Sequence, residues 1–319
     1  MKELLKERTA RIKKIFPKLE NESPLYGEIS LPENIAANLV TASKFVVYDC
    51  LISFYKDDTF NLDLPIEAFF KTYKEKIMKL PNITPNGLLL PKIEVLNSVN
   101  FLNKTVFPLM EFLKLKGQCE IACPVNLRLN FGVDRSSEAN ARPKSSTFWH
   151  TDIWAGHNAN EIMIHTPIFG DFKKNGIASA VPPDAFFPDF VKAIPSYEGL
   201  PVTAGLDKVA HRPVMKVGRS YIFDSFLLHK TVSEGEGMRG IISFSIKLKH
   251  KVKSDIYMNP LRDAEYQSYS EWEKMGSETM LVSTKKIAKG KAKKGRKKGS
   301  FITYADTFNK VSMIDDNRS

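Results

Sequence analysis

His150 and Asp152 stand two apart in Phe148-Trp149-His150-Thr151-Asp152-Ile153-Trp154-Ala155-Gly156, a stretch that reads as a strand running into a turn. On a strand, residues i and i+2 point to the same side, so an imidazole and a carboxylate converge on one point. Two such ligands cannot hold a catalytic metal alone. A third is available at the end of the apolar run Tyr221-Ile222-Phe223-Asp224-Ser225-Phe226-Leu227-Leu228-His229. Two histidines and one carboxylate on one face of an octahedron, with the remaining positions open, are the ligand set of non-haem Fe(II) in oxygenases. An isolated His-x-Asp is weak evidence, because such pairs often only cap a turn or share a hydrogen bond. The distance in sequence from Asp152 to His229 leaves room for the strands that would bring both to one mouth.

Strands are what the middle of the chain offers. In Val125-Asn126-Leu127-Arg128-Leu129-Asn130-Phe131 the apolar residues alternate with polar ones, which makes one sheet face polar: solvent-exposed or lining a site. Further strands are expected over 161–169, 177–181, 211–217, 219–228 and 240–248, separated by turn residues with no long helix between them. That pattern argues for antiparallel sheets in a sandwich or barrel. At the start of the last strand, ten residues past His229, Arg239 shares a face with Ile241, Ser243 and Ser245, while Ile242, Phe244, Ile246 and Leu248 face the other way. If the apolar side packs on helices, Arg239 turns inward, and a buried guanidinium requires an anion. No nearby acid is evident, so a bound carboxylate is the candidate.

The helices precede the strands. Apolar residues recur at helical spacing over 4–19, again from Pro32 (Ile35, Leu39, Ala42, Val46, Cys50, Phe54), again after Pro65 (Ile66, Phe69, Phe70, Tyr73, Ile77), and from Pro91 towards Phe107 or Leu113. The first third is therefore read as helical packing without chemistry.

At 319 residues and 43% hydrophobic content the chain can bury a full core. The net charge of +11 is local: nine cations and no acid lie between Lys285 and Lys298, leaving +2 for the rest. Glycines among like charges give that segment little reason to fold, and residues after about Gly276 are expected to be mobile; polyanions are the partners its charge would attract. No apolar run approaches the roughly 20 residues of a membrane span and the N-terminus carries acids, so a soluble, cytoplasmic protein is expected. Cys50, Cys119 and Cys123 are odd in number and lack metal or redox spacing, which favours buried thiols.

In order along the chain stand His150-Thr151-Asp152, Asn175-Gly176, Val181-Pro182, His229, Thr231 and Arg239. With this pattern the stretch from about 119 to 250 resembles the Fe(II)/2-oxoglutarate-dependent dioxygenase superfamily, within it the phytanoyl-CoA dioxygenase-like branch. The resemblance implies a mainly β, α+β protein with a double-stranded β-helix (jelly-roll, cupin-like) core over 119–250, helical support from 1–115, a single catalytic domain over 1–260, and a C-terminal extension over 261–319. It implies Fe(II) on His150, Asp152 and His229, and Thr231 and Arg239 on the distal carboxylate of 2-oxoglutarate. His165 falls where relatives place an aromatic beside 2-oxoglutarate, and Asn130 could reach the cofactor from the polar strand face, although a solvated edge explains it nearly as well. O2 would be the second co-substrate, and a small, carbohydrate-like metabolite would be hydroxylated or otherwise oxidised with release of succinate and CO2. Related halogenases replace the carboxylate of the triad by a small residue, so Asp152 argues for C–H oxidation.

One departure bears on the substrate: the proline turn reads Pro182-Pro183-Asp184-Ala185 where relatives often continue into Gly-Ser-His or Gly-Thr-His. His157 and His211 read as loop histidines and Trp149 and Trp154 as wall or core. Ser225 and Asp224 lack a nucleophile elbow. Desaturation, epimerisation and ring closure share the same iron site. The contrasting hypothesis is a non-catalytic jelly-roll binding module that docks on anionic partners through the basic segment.

Overall fold

The computed structural model describes residues 2–122, 125–135, 137, 140–183, 192–255, 258, 259 and 266–270. The basic segment 285–298, Cys123, and Asp184 and Ala185 of the proline turn lie outside the described residues.

Helix α1 spans Lys2–Ile15, α2 Glu33–Tyr55, α3 Ile66–Thr72, α4 Lys74–Met78 and α5 Leu96–Phe112. Each helix from α2 onward lies close to an expected stripe, with α3 and α4 parted at Tyr73. Strands β1 (Glu20–Ser23) and β2 (Tyr26–Ser30) interrupt the helical third. β3 is Leu88–Leu89, β4 Cys119–Ala122 and β5 Asn126–Asn130, and a four-residue helix, α6, spans Asp152–Ala155. β6 (Glu161–Gly170), β7 (Ile177–Ala180), β8 (Arg219–Asp224), β9 (Leu228–Thr231), β10 (Arg239–Leu248) and β11 (Tyr266–Gln267) complete the order.

The larger, antiparallel sheet runs β1-β2-β8-β6-β10, after which β10 is shared along its length by β5 and β4, with β3 beside β5 and β11 beside β4. β7 and β9 form a second sheet, extended by single bridges from His150 to His229 and from Ser179 to His211. Alternation sorts the large sheet's side chains into two cores. Ile162, Ile164, Ile222, Ile242, Phe244 and Ile246 pack with α2 and α5, whereas Met163, Tyr221, Phe223 and Ile241 pack with Ile177, Ala178 and Leu228 of the small sheet. The layers are therefore helices, large sheet, small sheet, with the polar face of β10 and β5 turned into the second core.

Four expectations need correction. The helical support over 1–115 is crossed by strands, because β2 pairs with β8 from Tyr26↔Phe223 to Ser30↔Arg219; five residues between two strong helices are too short to show a period. The 1–260 boundary is crossed by β11, which pairs with β4. No strand forms over 211–217 among the described residues: Pro213 removes a ladder donor and Val214 and Val217 stay half exposed, so only His211 makes a bridge. Finally, α2 is long and apolar enough to cross a membrane. Its stripe of Ile35, Leu39, Ala42, Val46 and Cys50 is buried against the rest of the chain, which is how the core helix of a folded domain passes the same test.

Candidate metal and anion site

His150 and Asp152 converge by a different route from strand alternation. His150 bridges β9 through paired backbone hydrogen bonds with His229 (His150 N to His229 O 3.0 Å, His229 N to His150 O 2.8 Å). The chain then turns into α6: Thr151 is the N-cap, its hydroxyl accepting from Trp154 N at 3.4 Å, so Asp152 is the first helical residue and not a strand residue. The bridge sets the two imidazoles side by side, with ring centroids 4.3 Å apart.

Each imidazole is oriented by its own chain two residues back. His150 Nδ1 lies 2.8 Å from Phe148 O and His229 Nδ1 3.0 Å from Leu227 O. A carbonyl can only accept, so both Nδ1 atoms carry the proton and both Nε2 lone pairs face away from the backbone, the arrangement of histidine ligands in metal sites. Burial, helped by His229, pushes the His150 pKa down to about 3, so that lone pair is available at neutral pH. Burial opposes charge on Asp152, but His229, His157 and His150 around it hold its carboxyl below the ordinary value.

Asp152 Oδ1 stands 3.9 Å from His229 Nε2. Ligand atoms about 2.1 Å from one ion and at right angles lie about 3 Å apart, so closing on a metal takes an approach of about 1 Å. Consistent with that gap, among the described residues no three His, Cys, Asp or Glu side chains are already gathered into a metal-holding group. The donors fit in kind and orientation and adjoin one another without having closed.

Arg239 stands where β10 begins, opposite Gly170 of β6 and Asn130 of β5. Gly170 has φ +109°, and a Cβ there would run into Met238 O and Arg239 itself; only glycine lets β6 end this close to the arginine. Arg239 is 4% exposed. Among the described residues its only hydrogen bond runs from Nη2 to Gly176 O (3.3 Å), and Nε has no partner. Burial and the neighbouring Arg128 pull its pKa down to about 9, the mark of a buried cation without an anion.

Other polar atoms without partners lie on the same face. Ser243 is opposite His165 in the ladder, and Ser243 Oγ and His165 Nδ1 are buried with no hydrogen bond among the described residues. His165 packs on Phe223 (4.9 Å), which also approaches His229 (6.3 Å), and burial followed by Arg128 pushes its pKa down to about 3. Buried polar groups are rarely left unsatisfied, so these atoms fit a small polar or anionic guest.

The remaining candidates are held by contacts within the chain. Thr231 donates from Oγ1 to Ser146 Oγ (3.2 Å), on the rim beside Gly176. Asn130 uses its amide internally, donating to Ser233 Oγ (3.1 Å) and accepting from Gly132 N (2.8 Å). Asn175 ties the loop before Arg239 through Gly237 O (2.7 Å) and Gly235 N (3.2 Å). His157 is 2.6 Å from the buried Glu161. Trp149 and Trp154 are core. Tyr197, which no periodicity singles out, stacks flat on His150 (4.9 Å, 8°).

No protein-family model matches the chain, and no curated protein matches it. Three solved structures are similar to it over about three quarters of its length. The α-ketoglutarate-dependent epimerase SnoN from nogalamycin biosynthesis is 8% identical, covering 75% of this chain and 81% of that one, with a TM-score of 0.34. The non-haem monooxygenase ThoJ is 10% identical (74% and 77% covered, TM-score 0.37). EctD from S. alaskensis, solved with 2-oxoglutarate and 5-hydroxyectoine, is 12% identical (75% and 76% covered, TM-score 0.37). Similarity at this level carries neither fold detail nor function across, so the function has to be argued from the chain's own residues.

Proposed function

We propose that this protein is an Fe(II)- and 2-oxoglutarate-dependent oxygenase acting on a small molecule, built on a double-stranded β-helix core. The observation that carries the reading is the buried Arg239, which has no carboxylate partner among the described residues, on the sheet face that also bears His165, whose neighbour Phe223 approaches His229.

His150 and His229 would give Nε2 and Asp152 a carboxylate oxygen to the iron. Arg239 would receive the distal carboxylate of 2-oxoglutarate, with His165 and Ser243 further along the same face. Bound there, iron and 2-oxoglutarate supply O2 activation coupled to oxidative decarboxylation, with succinate and CO2 released and a substrate C–H bond oxidised. The chain's contribution is positional. Phe148 and Leu227 carbonyls fix the imidazoles, Tyr197 covers one face of His150, and Trp149, Phe172 and Phe223 keep the surroundings dry. The intact Asp152 favours hydroxylation or another C–H oxidation over halogenation.

The separation of Asp152 from His229 keeps the non-catalytic binding module as the contrast. One measurement divides them. Anaerobic addition of Fe(II) and then 2-oxoglutarate should produce the weak visible charge-transfer band of the chelate. A protein that takes up no Fe(II) and shows no band is not this enzyme.

A further inference from the structure

Helix α1 carries two arginines on its inward face. Arg8 is fully buried and Arg11 nearly so, and neither serves the anion site. Both reach across the whole chain to one turn. Arg8 Nε donates to Asp224 Oδ1 (2.7 Å) and Arg11 Nη2 to Asp224 Oδ2 (3.2 Å). Arg8 Nη2 continues to Ala159 O and to Ser225 Oγ (3.3 Å), and its guanidinium lies 3.9 Å over the Phe226 ring. Behind them Asp255 holds Arg11 Nη1 with both oxygens at 2.8 Å and Arg8 Nη1 at 3.1 Å.

The turn they grip, Asp224 to Leu227, joins β8 to β9 and feeds the candidate iron site directly. Asp224 Oδ1 accepts from Phe226 N (3.0 Å) and Asp224 O from Leu227 N (2.9 Å), so the carboxylate held by Arg8 also shapes the turn. The Leu227 carbonyl at its end is the group that orients His229 Nδ1, and the Ser225 carbonyl accepts from Ile153 N (3.4 Å), the residue after Asp152. One short turn thus sets the imidazole of His229 and anchors the helix of Asp152. A buried ion pair is weak evidence for stability, because desolvation cancels most of the attraction. What a fork with five fixed donors does supply is direction.

We infer that Arg8 is a positioning residue for the metal site: by clamping the Asp224–Leu227 turn it fixes the Leu227 carbonyl, and through it the tautomer and aim of His229. The metal part of this inference rests on the oxygenase reading; the tautomer part does not.

The test uses Arg8→Met, in which Arg11 remains on Asp224 so the carboxylate is not stranded, beside Asp255→Asn, which weakens the cluster away from the turn. The first readout is the ring-nitrogen spectrum of 15N-histidine-labelled, metal-free full-length protein, with His229 assigned by its loss in His229→Gln. The expected result is one Nδ1–H tautomer for His229 in wild type and in Asp255→Asn, a mixture in Arg8→Met, and no change at His150, whose Phe148 carbonyl lies off the turn. The second readout is Fe(II) affinity, expected to fall about 10- to 100-fold in Arg8→Met alone. Wild-type nitrogen shifts and affinity in a folded Arg8→Met protein would overturn the inference, as would an equal change in Asp255→Asn, which would indicate general loosening. Should Arg8→Met fail to fold, Arg8→Lys keeps a charge beside Asp224 without the fork and is read the same way. Wild-type protein that binds no Fe(II) would remove the oxygenase reading while the nitrogen spectra still decide the clamp.

Discussion

Arg239→Leu tests the anion site with two effects of opposite sign. In the ligand-free protein the guanidinium is buried and Arg128 stands beside it; the carbonyl it bonds, Gly176 O, also accepts from Val232 N (3.0 Å). Replacing it by leucine removes an uncompensated charge and strands no acceptor, so the free variant should melt at least as high as wild type. With 2-oxoglutarate the sign reverses. Losing a buried charge-assisted pair costs about 2 to 5 kcal/mol, which weakens the affinity about 30- to 5,000-fold. At a concentration about 100 times the wild-type Kd, the ligand should stabilise wild type by about 2.7 kcal/mol, or about 5 to 10 °C for a domain of this size, and the variant by at most about 0.9 kcal/mol, or about 2 to 4 °C. Thermal melts with and without 2-oxoglutarate, together with Fe(II) titration, make the assay. A variant that binds 2-oxoglutarate as tightly as wild type would place the carboxylate elsewhere, Arg128 being the next candidate. One that melts lower and also loses Fe(II) would make Arg239 structural.

The same geometry gives three further expected outcomes. His150→Ala, Asp152→Ala and His229→Ala should each abolish saturable Fe(II) binding while keeping a cooperative melt, and a variant with normal affinity shows its residue to be off the site. The metal-free protein should lose stability as pH falls below 6.5, because His150 and His165 are neutral in the fold down to about 3 and take up protons on unfolding. The unfolded state then binds more protons, so stability rises with pH, by at most about 2.7 kcal/mol per unit for two groups; urea titrations between pH 6.5 and 5 that show no slope, or an unaltered slope in His165→Gln, would refute it. Burial pushes the Cys50 and Cys119 thiols up to about 12, so folded Cys123→Ser protein should not react with a disulfide reagent at pH 8 until it is denatured.

How far the chain can be read depends on whether a residue's role is written in a period. β10 alternates except at Ile241, so the inward turn of Arg239 and the outward packing of Ile242, Phe244 and Ile246 on the helices are legible from spacing, and the structure shows both. α2 is equally plain. β1 and β2 are not, because β2 gains its place from β8 across nearly two hundred residues and β1 from β2, and Tyr197 owes its contact with His150 to a loop that no local pattern specifies. For the metal candidates, the residue types were legible and the geometry was not: Asp152 sits on a capped helical turn, and the turn between β8 and β9 interrupts what reads as one apolar run.

That interruption has a signal of its own, in a helix that reads as packing without chemistry. In α1 the helical stripe Leu4, Arg8, Arg11, Ile12, Ile15 carries two arginines at positions where the period asks for apolar residues. A lysine or arginine there can reach out to water only if the helix lies at the surface along that stripe; if the stripe is core, each guanidinium needs a buried carboxylate. The one aspartate inside the apolar run to His229 is Asp224, and the structure pairs it with both arginines. Mispatterned charges in two distant apolar segments therefore point to each other, and here they join the first helix of the chain to the turn that aims His229.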